Sequence, residues 1–252
     1  MTNDQQRAKT WRFIPLLNAP GTVQMQIDRW LLEQQRKGDR APTLRFYTWD
    51  PAAISLGYHQ RNYPEFWREL HWQRKPIDIV RRPTGGRAVL HQGDLTYALV
   101  TSELANLRRA IAYETLCTFL IEGWRSLGLE LHYGAAGRGY IRHPSCFSTA
   151  TAADLVTERG EKLIGSAQVR RDRALLQHGS MRLSSDPGLF EEVFGEAIAP
   201  MQFPFSLKGD ELVQTVVEAM IQAARTSFNI EFAIAPLSET EWEEIRAINI
   251  IG

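Results

Sequence analysis

The chain has 252 residues, 29 lysines and arginines against 29 aspartates and glutamates, and 44% hydrophobic residues, which fits one large domain or two small ones with a sizeable core. A charged fraction of 23% excludes a mainly disordered or collagenous chain, and the zero balance argues against bulk nucleic-acid binding, which asks for a basic domain. Two cysteines, Cys117 and Cys146, cannot build a disulfide framework and point to a reducing compartment or one reactive thiol; with no signal-peptide core and no run of ~18 apolar residues, a soluble cytoplasmic protein is expected.

Pro20-Gly21 opens a predicted helix through Lys37, with Val23, Ile27, Trp30, Leu31 and Gln34 on one face and Gly38 as its stop. Strands are expected at Leu44–Trp49 and Ile54–Gly57, parted by the Asp50-Pro51 turn. Pro64 begins a short helix to about Leu70, and Ile77–Arg82 is β-rich. Thr84-Gly85-Gly86 breaks that strand, Arg87–His91 resumes it, and Gln92-Gly93-Asp94 turns into a strand at Leu95–Val100. Leu104–Leu127 reads as the longest helix, with Tyr113, Leu116, Cys117, Leu120, Trp124 and Leu127 sharing a face. A loop rich in glycine and arginine follows, Gly134–Ser145, then three strands at Asp154–Thr157, Lys162–Val169 and Ala174–Leu183. Glu211–Ser227 is a second long helix, and Ser238–Ile248 a short one with a capping-box pattern at Ser238 and Glu241. Hairpins outnumber helices, so the fold class is α+β, with a mixed, largely antiparallel sheet flanked by helices.

Chemistry concentrates in three segments. In Arg81–His91 (RRPTGGRAVLH) two glycines follow a strand, and their N–H groups can receive a carboxylate, phosphate or oxyanion while arginines add charge. By spacing alone the same residues also describe a tight turn with solvated arginines. Cys146 sits in a loop beside Arg142 and His143, where a thiol is exposed and its thiolate favoured; a buried small hydrophobe fits the residue equally. Cys117, on an apolar helix face, reads as an inert core residue. Lys162 precedes a strand ending in Gly165, Ser166 and Ala167, small residues that permit close ligand approach. A lysine beside a hairpin turn is also commonly solvated, and His178, inside an apolar strand, is commonly structural. No metal-ligand spacing occurs.

Together these segments resemble the lipoate-protein ligase, octanoyltransferase and biotin-ligase superfamily. The carrying residues are Arg81–His91 with Asp94–Tyr97, Lys162–Gln168 (KLIGSAQ) and Gln177–Ser180 (QHGS), in matching order over essentially the whole chain. Within it, Ser145-Cys146-Phe147 falls where the lipoate ligase A-like octanoyltransferases of Gram-positive type carry a nucleophilic cysteine. The chain ends soon after Ile248, leaving no room for the accessory domain of typical ATP-dependent ligases, and Arg87 stands where ligases often show a third glycine. The resemblance implies one catalytic domain over residues 1–252 with the superfamily's fold. It implies an octanoyltransferase without a cofactor, moving octanoyl from acyl carrier protein through Cys146 to a lysine of a lipoyl domain or glycine-cleavage H protein. Lys162 would be the second catalytic residue, as cation or base. Arg82, Thr84, Gly85, Gly86 and His91 would line or brace the pocket mouth, Gly165, Ser166 and Ala167 would make room for the acyl chain, and His178 would lie behind them. Neither nucleic acid nor membrane is implied as a partner. The alternatives are an ATP-dependent lipoate ligase, an amidotransferase between carrier proteins, and a non-catalytic acyl or biotin binder.

Overall fold

A computed structural model describes residues 8–38, 40–134 and 153–248. Its elements in chain order are β1 (Lys9–Ala19), α1 (Gly21–Lys37), β2 (Thr43–Trp49), β3 (Ala53–Leu56), a 3₁₀ turn (Glu65–Glu69), β4 (His71–Trp72), β5 (Lys75–Pro76), β6 (Asp78–Arg81), β7 (Val89–His91), β8 (Asp94–Thr101), α2 (Arg109–Ser126) and β9 (Leu131–Tyr133). After these come β10 (Leu155–Thr157), β11 (Lys162–Arg171), β12 (Ala174–Arg182), α3 (Pro187–Phe194), α4 (Gly209–Phe228), β13 (Ile230–Ile234) and α5 (Glu239–Arg246).

Eight strands form one sheet in the order β13-β1-β2-β8-β12-β11-β10-β9. β1 runs parallel to β13 and to β2; the other pairings in the sheet are antiparallel. The sheet is thus mixed and largely antiparallel. Alternation along the strands divides it into two faces. One carries Phe13, Phe46, Leu95, Leu99 and Leu175 against α2 and α4. The other carries Tyr47, Ala98, Val100 and Leu176 against α1 and α5. Beside the α1 face lies a small sheet, β6-β3-β7, with its own cluster around Ile54, Trp67, Leu90, Phe190 and Phe194. The space between the two sheets becomes the site.

Several elements depart from the sequence reading. β1 has no counterpart in it, because the irregularity between Ile14 and Leu17 breaks the alternation that marks a strand. β13 is largely exposed at the sheet edge and follows α4 across a single residue, Asn229, in the left-handed conformation. α2 starts at Arg109 rather than Leu104, because Ser102–Leu107 closes three-residue turns and the Glu103 N–H goes to the Thr101 hydroxyl. The segment after Pro64 is a 3₁₀ turn. The α5 capping box forms as expected: Glu241 N–H donates to Ser238 Oγ at 3.3 Å, and Ser238 N–H to Glu241 Oε2 at 2.9 Å. No helix among the described residues is long and apolar enough to cross a membrane.

Candidate functional site

A cavity of about 220 Å³ opens between the sheets. Its walls come from Met25 of α1, Trp49 of β2, Gly85 and Gly86, His91 of β7, Gly165–Gln168 of β11 and His178–Ser180 of β12, with Asp154 at one side. Strand pairing explains the convergence. Gly165 lies opposite Ser180 and Ala167 opposite His178, and Ser180 in turn lies opposite Thr96, so three neighbouring strands present one face to the space.

The glycine turn is fixed from below. Arg82 is buried, and its guanidinium donates to the carbonyls of Ser55, Gly85 and Arg87 at 2.7–3.2 Å. Gly86 has φ of 99°, which only glycine adopts without strain. Its carbonyl oxygen lies 1.8 Å from where a Cβ on Gly57 would sit, so Gly57 is what lets the turn pack. Arg82 therefore both braces the turn and lines the cavity. Thr84 does not line the cavity; its hydroxyl meets His178 Nε2 at 2.6 Å.

Two aspartate–histidine pairs stand at the base. His178 Nδ1 lies 2.8 Å from Asp28 Oδ2, which also accepts from Tyr47 Oη at 2.9 Å. Arg45 sits beside the same carboxylate, its Nε 3.8 Å from Asp28 Oδ1, and its guanidinium covers the Tyr47 ring at 4.0 Å. His91 Nδ1 lies 2.8 Å from Asp94 Oδ2, and Nε2 lies 2.8 Å from Ser55 Oγ. Asp94 Oδ2 also accepts from Ser180 Oγ at 2.6 Å. The His91 ring stacks on Trp49 with centroids 3.8 Å apart. Burial lowers the His91 pKa below 6.5, outweighing the pull of Asp94, so the ring is neutral near pH 7. Both histidines were read as second to the chemistry. Both line the cavity; their partners Asp28 and Trp49 stand out by nothing in their own segments, and Asp94, part of the Asp94–Tyr97 motif, shows no sign in the sequence of its pairing with His91.

Lys162 is not a solvated hairpin residue. Its side chain is buried, and Nζ pairs with Asp154 Oδ1 at 2.8 Å. In the sequence Asp154 shows only as the first residue of an expected strand, and its pairing with Lys162 comes from the structure. The two buried charges pair in this arrangement, and breaking a buried ion pair by removing one partner costs about 3–5 kcal/mol. Cys146 lies outside the described residues. Cys117 is buried in the α2 core, Gln177 Nε2 donates to its Sγ at 3.4 Å, and burial pushes the thiol pKa up to about 12, so the reading of an inert core residue holds. Among the described residues no group of His, Cys, Asp or Glu is arranged to hold a metal.

The family described as the lipoyl protein ligase A/B catalytic domain matches residues 20–234. The chain is similar to octanoyltransferase LipM of Kyrpidia tusciae, 34% identical over 248 residues, covering 95% of this chain and 85% of that one. It is similar to octanoyltransferase LipM of Anoxybacillus flavithermus, 36% identical over 196 residues, 74% of this chain and 70% of the other. Its fold is similar to that of a T. acidophilum protein assigned as a lipoate protein ligase and solved with bound lipoic acid. That likeness has a TM-score of 0.77 at 24% identity, over 94% of this chain and 93% of that one.

Proposed function

The chain belongs to the lipoyl protein ligase A/B catalytic domain family, and from that premise we propose that it is an octanoyltransferase acting in protein lipoylation. The observation that carries the reading is the 34% identity to an octanoyltransferase over 95% of the chain. The cavity between the sheets, with a buried ammonium at its side, supports it. The donor is octanoyl-acyl carrier protein, and the acceptor a lysine on a lipoyl domain or glycine-cleavage H protein.

The Cys146 thiolate attacks the thioester carbonyl of the donor, and the tetrahedral intermediate expels the carrier thiolate to leave an octanoyl-cysteine. The acceptor amine then attacks that thioester, loses a proton and expels the Cys146 thiolate. Both steps place negative charge on a carbonyl oxygen, and Lys162 is the cation that stabilises it. Its pairing with Asp154 favours this role over that of general base, because a carboxylate attracts the ammonium and not the neutral amine. The cavity surfaces of Gly165, Ser166 and Ala167 receive the acyl chain, whose burial contributes about 0.8 kcal/mol per CH₂. The turn at Gly85 and Gly86, braced by Arg82, closes the mouth, Thr84 holds His178, and His91 and His178 fix the polar base.

The test is octanoyl-acyl carrier protein with an apo lipoyl domain and no ATP, read by intact mass. The expected result is octanoylated acceptor, with an octanoyl adduct on the enzyme that Cys146→Ala abolishes. Transfer that needs ATP and free acid would move the reading to a ligase. Lys162→Ala is expected to slow both half-reactions by about 10²-fold or more, and Lys162→Arg to restore little, since the planar fork differs in shape from an ammonium.

A further inference from the structure

We propose that Asp154 is a positioning residue that holds the Lys162 ammonium at the cavity wall, through a device built from a β-bulge and a glycine. The inference rests on the octanoyltransferase reading, and it deepens the role of Lys162.

The device begins in the pairing of β10 with β11. Leu155 pairs with Ile164, but Val156 pairs with Lys162, so one step along β10 spans two along β11, and Leu163 is an extra residue. In a regular strand, residues three apart point to opposite faces. An extra residue re-aims what precedes it, and Lys162 ends on the same side as Gly165. A Cβ on Gly165 would lie 3.0 Å from Lys162 Cε, 3.2 Å from its Nζ and 3.7 Å from Asp154 Oδ1. The missing side chain is thus a window, and both Gly165 and Asp154 form part of the cavity wall.

Asp154 is itself anchored. The Tyr113 hydroxyl, from α2, lies within hydrogen-bond reach of the carbonyls of Ala153 and Ser166, the second at 3.3 Å, and Gly134 N–H donates to the Asp154 carbonyl at 2.8 Å. Tyr113 thereby ties the approach to β10 to β11 beside the cavity. A lysine ends a flexible four-carbon stem; a fixed carboxylate 2.8 Å from Nζ selects one placement of the charge. An electrostatic stabiliser acts only when it is already in place as charge develops, so the carboxylate contributes to the rate without touching substrate.

Asp154→Asn keeps the shape and removes the charge. The expected result is a folded variant whose kcat for octanoyl transfer falls about tenfold or more while the donor KM changes little, the sign of an interaction used in the transition state. In a Lys162→Ala background the same substitution should add almost nothing, because Asp154 acts through Lys162. Asp154→Glu should recover part of the rate. A folded Asp154→Asn enzyme at wild-type kcat, or one whose loss persists in full beside Lys162→Ala, overturns the proposal. Acetylation of Lys162 by acetic anhydride, followed by mass spectrometry, reads the pair without any acyl transfer. It should be faster in Asp154→Asn, and equal rates overturn the proposal whatever reaction the enzyme performs. Folded wild-type protein that moves no octanoyl group from the thioester donor overturns the octanoyltransferase reading alone.

Discussion

At the scale of single residues, burial decides what each titratable group can do. Cys117 and the proposed nucleophile Cys146 are the two thiols of the chain. Burial pushes Cys117 up to about 12, so at pH 8 it carries almost no thiolate. Iodoacetamide at that pH should leave Cys117 unmodified in the folded protein, and peptide mapping that finds it alkylated before unfolding would contradict the core packing. His91 makes a second case. Its folded pKa lies below 6.5, mainly through burial, while in the unfolded chain it titrates near 6.5. Below that pH the unfolded state binds more protons, so stability is lost as pH falls through the unfolded pKa toward the folded one. The melting temperature should fall between about pH 7 and pH 5. In His91→Gln the fall should be shallower, although the variant starts lower because Asp94 and Ser55 lose their partner. Identical slopes in the two proteins would remove His91 as the source.

At the scale of elements, the site is made by close approaches rather than by long regular segments. The strand end at Gly57 meets the glycine turn so closely that a methyl group would fall 1.8 Å from the Gly86 carbonyl oxygen. Tyr58 N–H then donates to the Thr84 carbonyl at 2.8 Å, and Arg81 Nη1 donates to the carbonyls of Gly57 and Gln60. Gly57→Ala should therefore displace backbone, costing about 1–3 kcal/mol as overpacking does, with transfer activity falling more than stability. Calorimetry beside a transfer assay checks this; unchanged melting and rate would show that the two turns do not rely on each other. The glycine turn, the small residues of β11 and the chain QHGS of β12 were legible in the sequence because close backbone approach needs particular residue types. Asp28, Trp49 and Asp154 were not: Asp28 meets His178 only through the packing of α1 on the sheet, and the meaning of the other two comes from strand register. α3 carried a readable signal that went unused: Asp186 caps it, accepting from Leu189 N–H at 2.8 Å, and Pro187 stands at its first turn.

At the scale of the whole molecule, a formal charge of zero leaves docking to local groups of charge. The α+β class and its two-faced sheet follow from hairpin spacing and helix periodicity, which are local. The parallel seating of β1 between β13 and β2 is not legible, since it joins strands from opposite ends of the chain. The same folding places the loop after Gly57 against the glycine turn through Tyr58 N–H and the Thr84 carbonyl, and Tyr58 and Arg61 of that loop are exposed. An acyl carrier protein brings its acyl group on a long arm and docks its own surface nearby, and complementary charge there raises the encounter rate more than the final affinity. If the carrier's docking surface is acidic, Arg61→Glu should raise KM for octanoyl-acyl carrier protein while leaving kcat and the KM for octanoyl-pantetheine near wild type. The difference should shrink as ionic strength rises, because the Debye length falls to about 8 Å at 0.15 M salt. A variant that loses activity equally on both donors would place Arg61 in the shaping of the cavity mouth instead, and one that changes neither would send the carrier to another face.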